Sequence, residues 1–345
     1  MVKYSDNPKF FQEVEISMKK IVSLAIALSL IMTASALAAS SGGMPMSGPY
    51  PDGTRLTLIT GGEQGEYYSF GSALANKVSR KTSTAVNIVA SGGAAENITA
   101  LEEGKVQLAF IQSDVGFYAS RGTRLFPAKH AGFSTVAVLY PEPVQIVTLN
   151  PRIERIEDLK GRTVSVGAEG SGTYFNAVDV FKAYGLDINT DIKPVYESFA
   201  SSVEGLKSGE IDAAFIVAGA PTPAVAELAK SARVFLVSFD DRHIMDLIAK
   251  SPYYGKCELP KTTYGTDDND VTVAVYSAVV ARDDVPANDV YNFMYGIFEN
   301  LDELSQDNAR AASLSLKTAA GYPAVPYHVG AVKYLGEKGI LVSGK

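Results

Sequence analysis

Four polar turns carry the residue types that could hold a small ligand. They are Gly61-Gly62-Glu63-Gln64-Gly65-Glu66-Tyr67-Tyr68, Ser91-Gly92-Gly93, Gln112-Ser113-Asp114 and Gly170-Ser171-Gly172-Thr173. Glycines let backbone amides approach a ligand closely, and the hydroxyls of Ser91, Ser113, Ser171 and Thr173 add donors, so together the turns suit an anionic group. Of Tyr67 and Tyr68, one is expected in the core and the other at the site, as an aromatic wall with a hydroxyl. Each turn alone is more often a helix cap than a ligand site. Their recurrence after successive strands is what favours binding. Asp114 reads as a cap or helix-dipole partner, because no second carboxylate stands at a fixed spacing from it.

Catalytic patterns fail. Gly170-Ser171-Gly172 starts like a dinucleotide fingerprint, but Phe175 occupies the third glycine position, and Thr173 stands where a P-loop needs Lys. His130, His243 and His328 have no metal-ligand spacing, and no Gly-x-Ser-x-Gly elbow occurs. The expectation is a binder without catalytic residues, cofactor or metal.

The turns need a scaffold, and the chain supplies alternating strands and helices. Arg55 to Thr60 alternates like a strand, and Phe70, Leu74 and Val78 mark a helix face after Tyr67. Val86 to Ala90, a helix from Ala95 to Glu102, and Gln107 to Gln112 repeat the unit. The second half does the same, with strands at Thr163 to Gly167, Lys193 to Tyr196 and Ile211 to Ala218. Helices are expected at Tyr174 to Tyr184 and Ser201 to Ser208. Repeated β-turn-α units predict parallel α/β sheets, with ligands at the carboxyl ends of the strands. Val144 to Leu149 and Val271 to Ala281 read as strands leading out of the first half and back. Two α/β lobes follow: lobe 1 from 54–145 plus 276–345, and lobe 2 from 146–275. The stripe Val290, Phe293, Met294, Ile297, Phe298 and Leu301 reads as core of the completed first lobe.

The chain has 345 residues and a formal net charge of -7, which disfavours nucleic acid or anionic lipid as partners. Lys19 and Lys20, the apolar run from Ile21 to Met32, and Ala36-Leu37-Ala38 follow the order of a secretory signal. That run is too short to span a bilayer, which needs about 20 residues. Acidic residues before Met18 suggest translation starting there. The expectation is a signal peptide over 1–38, a linker over 39–53 and a mature chain without membrane insertion. Cys257 is the only cysteine, so no internal disulfide can form.

From about Thr57 to Gly339 the chain resembles the TAXI family, the solute receptors of tripartite ATP-independent periplasmic (TRAP) transporters. The matching segments are Gly65 to Tyr68, Ala90 to Asn97, Ile111 to Val115, Leu139 to Val144, Asp158 to Gly167, Gly170 to Thr173 and Pro326 to Ala331. The resemblance implies a type II periplasmic-binding fold, two α/β lobes joined by two crossover strands with a ligand cleft between them. It further implies a periplasmic location, a small carboxylate ligand such as glutamate or 2-oxoglutarate, and large and small permease subunits, separate or fused, driven by an ion gradient. Carried onto this chain, it implies a pocket of Tyr67, Tyr68, Ser91, Gly92, Gln112, Ser113, Asp114, Ser171, Gly172 and Thr173, with Ala218 and Gly219 on the far lobe. No Arg stands in those turns. Two alternatives remain: the same fold as a ligand sensor without transport, and a cleft enzyme acting on a phosphorylated substrate.

Overall fold

The computed structural model describes residues 48–345 except 64, 170, 252 and 322–324. The signal peptide and the start at Met18 lie outside the described residues.

The first half opens with β1 (Arg55–Ile59), α1 (Glu66–Lys81), β2 (Ala85–Val89), α2 (Ala94–Glu102), β3 (Leu108–Gln112) and α3 (Ser113–Arg121). β1 pairs in parallel with β2 and β3, as the alternation of strand and helix requires. All five residues of β3 are buried, which explains its unbroken apolar stretch. Helix α1 buries Phe70, Leu74 and Val78, each four residues from the last.

Two long strands then carry the chain between halves: β4 (Phe133–Thr148) going out and β10 (Asp270–Arg282) coming back. They pair with each other antiparallel. The first part of β4 lies against β10, and Val144 to Thr148 pairs with β7 (Ala213–Val217). The far end of β10 pairs with β3. The sheet order is β2-β1-β3-β10-β4-β7-β5-β6, so β10 and β4 sit at its middle. β5 (Thr163–Ser165), α4 (Gly172–Ala183), β6 (Lys193–Val195), α5 (Phe199–Ser208), β7 and α6 (Pro223–Ser231) repeat the parallel grammar. β8 (Phe235–Leu236), α7 (Asp241–Lys250) and β9 (Gly255–Leu259) complete the second half.

β4 begins 11 residues earlier than the apolar run at Val144 predicts. Pro141 and Pro143 interrupt the strand pattern because proline donates no ladder hydrogen bond. The strand nevertheless runs through both, opposite Tyr276 and Ala274, with a register shift between Tyr276 and Ala278.

The C-terminal helices α8 (Ala287–Phe298), α9 (Leu301–Asp307), α10 (Leu316–Ala319) and α11 (Val329–Glu337) follow β10. Val290, Phe293, Met294 and Ile297 of α8 join Leu56, Leu58, Phe70 and Leu74 in one core. Each such side chain contributes about 1.5–3 kcal/mol by leaving water. A separate core gathers Val144, Ile146, Val164, Phe181 and Phe215 of the second half. At the end of the expected linker, Tyr50 donates its N–H to Asn292 and sets its ring edge-on against Tyr291.

Candidate functional site

The polar turns at the strand ends meet other polar groups where β4 and β10 cross between the halves. Tyr67, in the first turn of α1, stacks on Phe110 with centroids 4.9 Å apart and donates from Oη to Glu142 Oε2 at 3.1 Å. Glu142 lies between Pro141 and Pro143 on β4 and is 2% exposed. Burial pushes its carboxyl well above the usual range; the Tyr67 hydrogen bond opposes this, and the Asp114 and Glu66 carboxylates reinforce it. Two residues earlier on the strand, and so on its same face, Tyr140 is fully buried. Its hydroxyl and that of Ser277 on β10 lie near enough to act on each other, and neither makes a well-formed hydrogen bond among the described residues.

Arg310 enters from the 3-10 turn Ala309–Ser313. Its Nε contacts Glu66 Oε1 at 3.1 Å, its Nη1 donates to the Ala220 carbonyl at 2.8 Å, and its guanidinium lies over the Tyr140 ring. The turns contain no arginine, as expected, but one reaches the site from far along the chain.

A second network joins β3 to α4. Gln112 Nε2 donates to Asn176 Oδ1 at 2.6 Å, and Asn176 Nδ2 donates to Asp114 Oδ2 at 2.9 Å and to Tyr254 Oη at 2.8 Å. Asp114 does not cap its helix; it accepts the amide from α4 and the N–H of Val115. Burial pushes its pKa up to about 7. Of the two readings, cap or helix-dipole partner, the second holds: Asp114 lies in the first turn of α3, whose N-cap is Gln112, and its partner Asn176 is remote in sequence. Gly172 leaves room for this bond, since a Cβ on it would lie 2.4 Å from Gln112 Oε1 and push the Gln112 amide away from Asn176. Beyond this network Arg124 pairs with Asp179, and its guanidinium lies over the rings of Tyr118 and Phe175.

The other expected site residues are placed as follows. Ser113 Oγ accepts from Tyr276 N at 3.0 Å. Ser171 caps α4 by accepting from Tyr174 N, and Thr173 is buried. The Ala218 carbonyl accepts from Gln145, while Gly219 lies beside Arg310 and Tyr140. Ser91 Oγ bonds to Thr60 O and Asn97 Oδ1, and Gly92 N donates to Glu96 Oε2, so this turn spends its donors on itself. Tyr68 is half-buried and its ring makes none of these contacts. The turn reading missed Glu142, Tyr140, Ser277, Arg310 and Asn176. Glu142 and Tyr140 left a trace only as members of the matching segment Leu139 to Val144.

A separate surface groove of about 740 Å³ in the second half is walled by Phe235, Leu236, Arg233 and Asp267 to Asp270, and no expected site residue lines it. Among the described residues no acidic, His or Cys cluster could hold a metal, and no helix is long and apolar enough to cross a membrane.

This architecture is the mixed α/β fold of periplasmic solute-binding proteins. It is similar to MatC from Rhodopseudomonas palustris with bound malate, at 12% identity and a TM-score of 0.53, over 82% of this chain and 96% of that one. A structure described as a periplasmic transporter aligns at 16% identity and a TM-score of 0.50, over 75% and 87%. The aliphatic sulphonate binding protein SsuA from Escherichia coli aligns at 18% identity and a TM-score of 0.47, over 83% and 84%. Residues 58–339 match the NMT1-like family, and the chain belongs to that family.

Proposed function

We propose that this protein is an exported solute receptor of the TAXI type. In this reading it captures a small carboxylate between lobe 1 (54–145 plus 276–345) and lobe 2 (146–275) and delivers it to a TRAP permease in the membrane. The observation that carries the reading is the meeting of buried polar side chains from both halves at the β4–β10 crossing. There Gln112 reaches Asn176, and Arg310 reaches the Ala220 carbonyl. Polar groups desolvated this way are costly unless they are satisfied, and a site that assembles them from two walls is suited to enclosing a polar solute. The malate held by the R. palustris neighbour is a dicarboxylate within the same general fold. No catalytic step is assigned.

The test is a thermal-shift screen of the chain from Ala39 onward against amino acids, dicarboxylates, keto acids, sulfonates, sugars and phosphate esters. A ligand at about 100 times its dissociation constant adds ~2.7 kcal/mol, which raises the midpoint by several degrees. A shift with carboxylates and none with sugars supports the proposal. A shift confined to sulfonates or phosphate esters overturns the carboxylate assignment.

A further inference from the structure

The floor of the site holds three oxygen groups with spare hydrogen-bonding capacity: the Glu142 carboxyl and the hydroxyls of Tyr140 and Ser277. All three residues are at least nine-tenths buried, and the Tyr140 and Ser277 hydroxyls, which face each other, make no well-formed hydrogen bond among the described residues. Tyr67 supplies the hydrogen bond that Glu142 receives among the described residues. The charged and titratable groups acting on Glu142 are Glu66 and Tyr67 from α1, Asp114 from α3, Tyr140 from its own strand, and Arg310 from the 3-10 turn. Arg310 is the cation among them, and it is already paired with Glu66. A charged carboxylate at position 142 would therefore face two more carboxylates without a cation of its own, in a place closed to water.

We propose that Glu142 meets the ligand as a neutral carboxylic acid and forms, with Tyr140 and Ser277, a three-hydroxyl subsite for one anionic oxygen group of the solute. A protonated carboxyl keeps one oxygen to accept from Tyr67 and turns the other into a donor. Three donors turned to one oxyanion would give the Tyr140 and Ser277 hydroxyls the well-formed hydrogen bonds they otherwise lack. Capture then takes up a proton: Glu142 is ionised when solvated in the open form and protonated when the ligand is bound. The upward direction of its shift in this structure agrees. This inference rests on the solute-capture reading and adds proton linkage and a charge preference to it.

The test is isothermal titration of the wild type and Glu142→Gln, with 2-oxoglutarate and glutamate as carboxylate probes and ethanesulfonate as the non-carboxylate oxyanion. Wild-type affinity should weaken as pH rises, by up to about tenfold per pH unit, with up to one proton taken up per ligand, read from buffers of different ionisation enthalpy. Glutamine keeps a donor at this position, so Glu142→Gln should bind within a few-fold of wild type at the lower pH and lose both the pH dependence and the proton uptake. Should that variant fail to fold, Asp114→Asn decides: with the neighbouring carboxyl unable to titrate, the pH dependence and proton uptake should persist. A carboxylate probe that binds with pH-independent affinity and no proton exchange overturns the subsite and leaves solute capture standing, as does affinity that rises with pH. Binding by ethanesulfonate alone, with the same proton uptake, supports the subsite and moves the ligand class from carboxylate to sulfonate. No binding by any probe at either pH overturns the solute-capture reading and this subsite with it.

Discussion

Gln112 at the end of β3 and Asn176 on α4 are 64 positions apart in the chain, and their side-chain amides are joined at 2.6 Å. One belongs to the first half of the sheet and the other to the second, so the bond exists only while the halves are together. Gly172 gives it room.

Gly172→Ala should therefore act on closure. Its Cβ would lie 2.4 Å from Gln112 Oε1, and an overpacked contact of this kind costs about 1–3 kcal/mol. Small-angle scattering with a ligand found by the thermal screen should show less compaction than in wild type, with the separate cores intact in urea unfolding. Equal compaction in both proteins removes Gly172 as a determinant of closure.

Arg310→Ala strands Glu66, whose side chain is 10% exposed beside an arginine 14% exposed. Breaking a buried pair from one side costs about 3–5 kcal/mol, because the remaining charge is left uncompensated. Urea denaturation should show that loss, and the double variant Glu66→Gln with Arg310→Met should recover much of it. A double variant no more stable than Arg310→Ala would mean that the Ala220 contact, rather than the ion pair, matters.

Arg124 has φ of 59°, in the left-handed region that glycine tolerates and other residues resist. Both Arg124→Ala and Arg124→Gly lose the Asp179 pair and the stacking on Tyr118 and Phe175. The glycine variant alone sheds the backbone penalty, so it should be the more stable of the two by about 1 kcal/mol, the reverse of the usual order. Thermal unfolding of the pair checks the sign.

Asp114 gives a pH signature. Its folded pKa of about 7 exceeds its ordinary value of 3.8, so the native state holds the proton more tightly than the unfolded chain does. The stabilisation from holding that proton is fully present below about pH 4 and is lost as pH rises toward about 7. Relative to Asp114→Asn, the wild type should lose up to roughly 4 kcal/mol across that window. Parallel stability curves for the two proteins would show that Asp114 is not shifted.

The periodic elements were readable because their patterns are local. Phe70, Leu74 and Val78 announce α1, and the short apolar run within Gln107 to Gln112 announces β3. The first half of β4 was not readable, because Pro141 and Pro143 carry the marks of a loop and are held in the strand by pairing with β10, more than 100 positions away. The site divides the same way. Its glycine and serine turns could be found one by one, and Ser171 and Gly172 do sit where α4 meets β3. Whether a turn faces inward or folds its donors back on itself, as Ser91 and Gly92 do, depends on Asn97 and Glu96 and not on the turn's own composition. Arg310 and Glu66 are 244 positions apart, and no spacing rule connects them.

The two strands that cross between the halves are bonded to each other along much of their length, like the leaves of a single piano hinge. Such a joint resists twisting and shear and leaves one easy motion, rotation about a line across the strands. That line falls most naturally where the ladder is weakest, at the two prolines and the adjacent register shift. Glu142 sits between those prolines, close to the pivot, where displacement is smallest. In the closure proposed above, Glu142 would stay nearly still while its surroundings change from wet to dry.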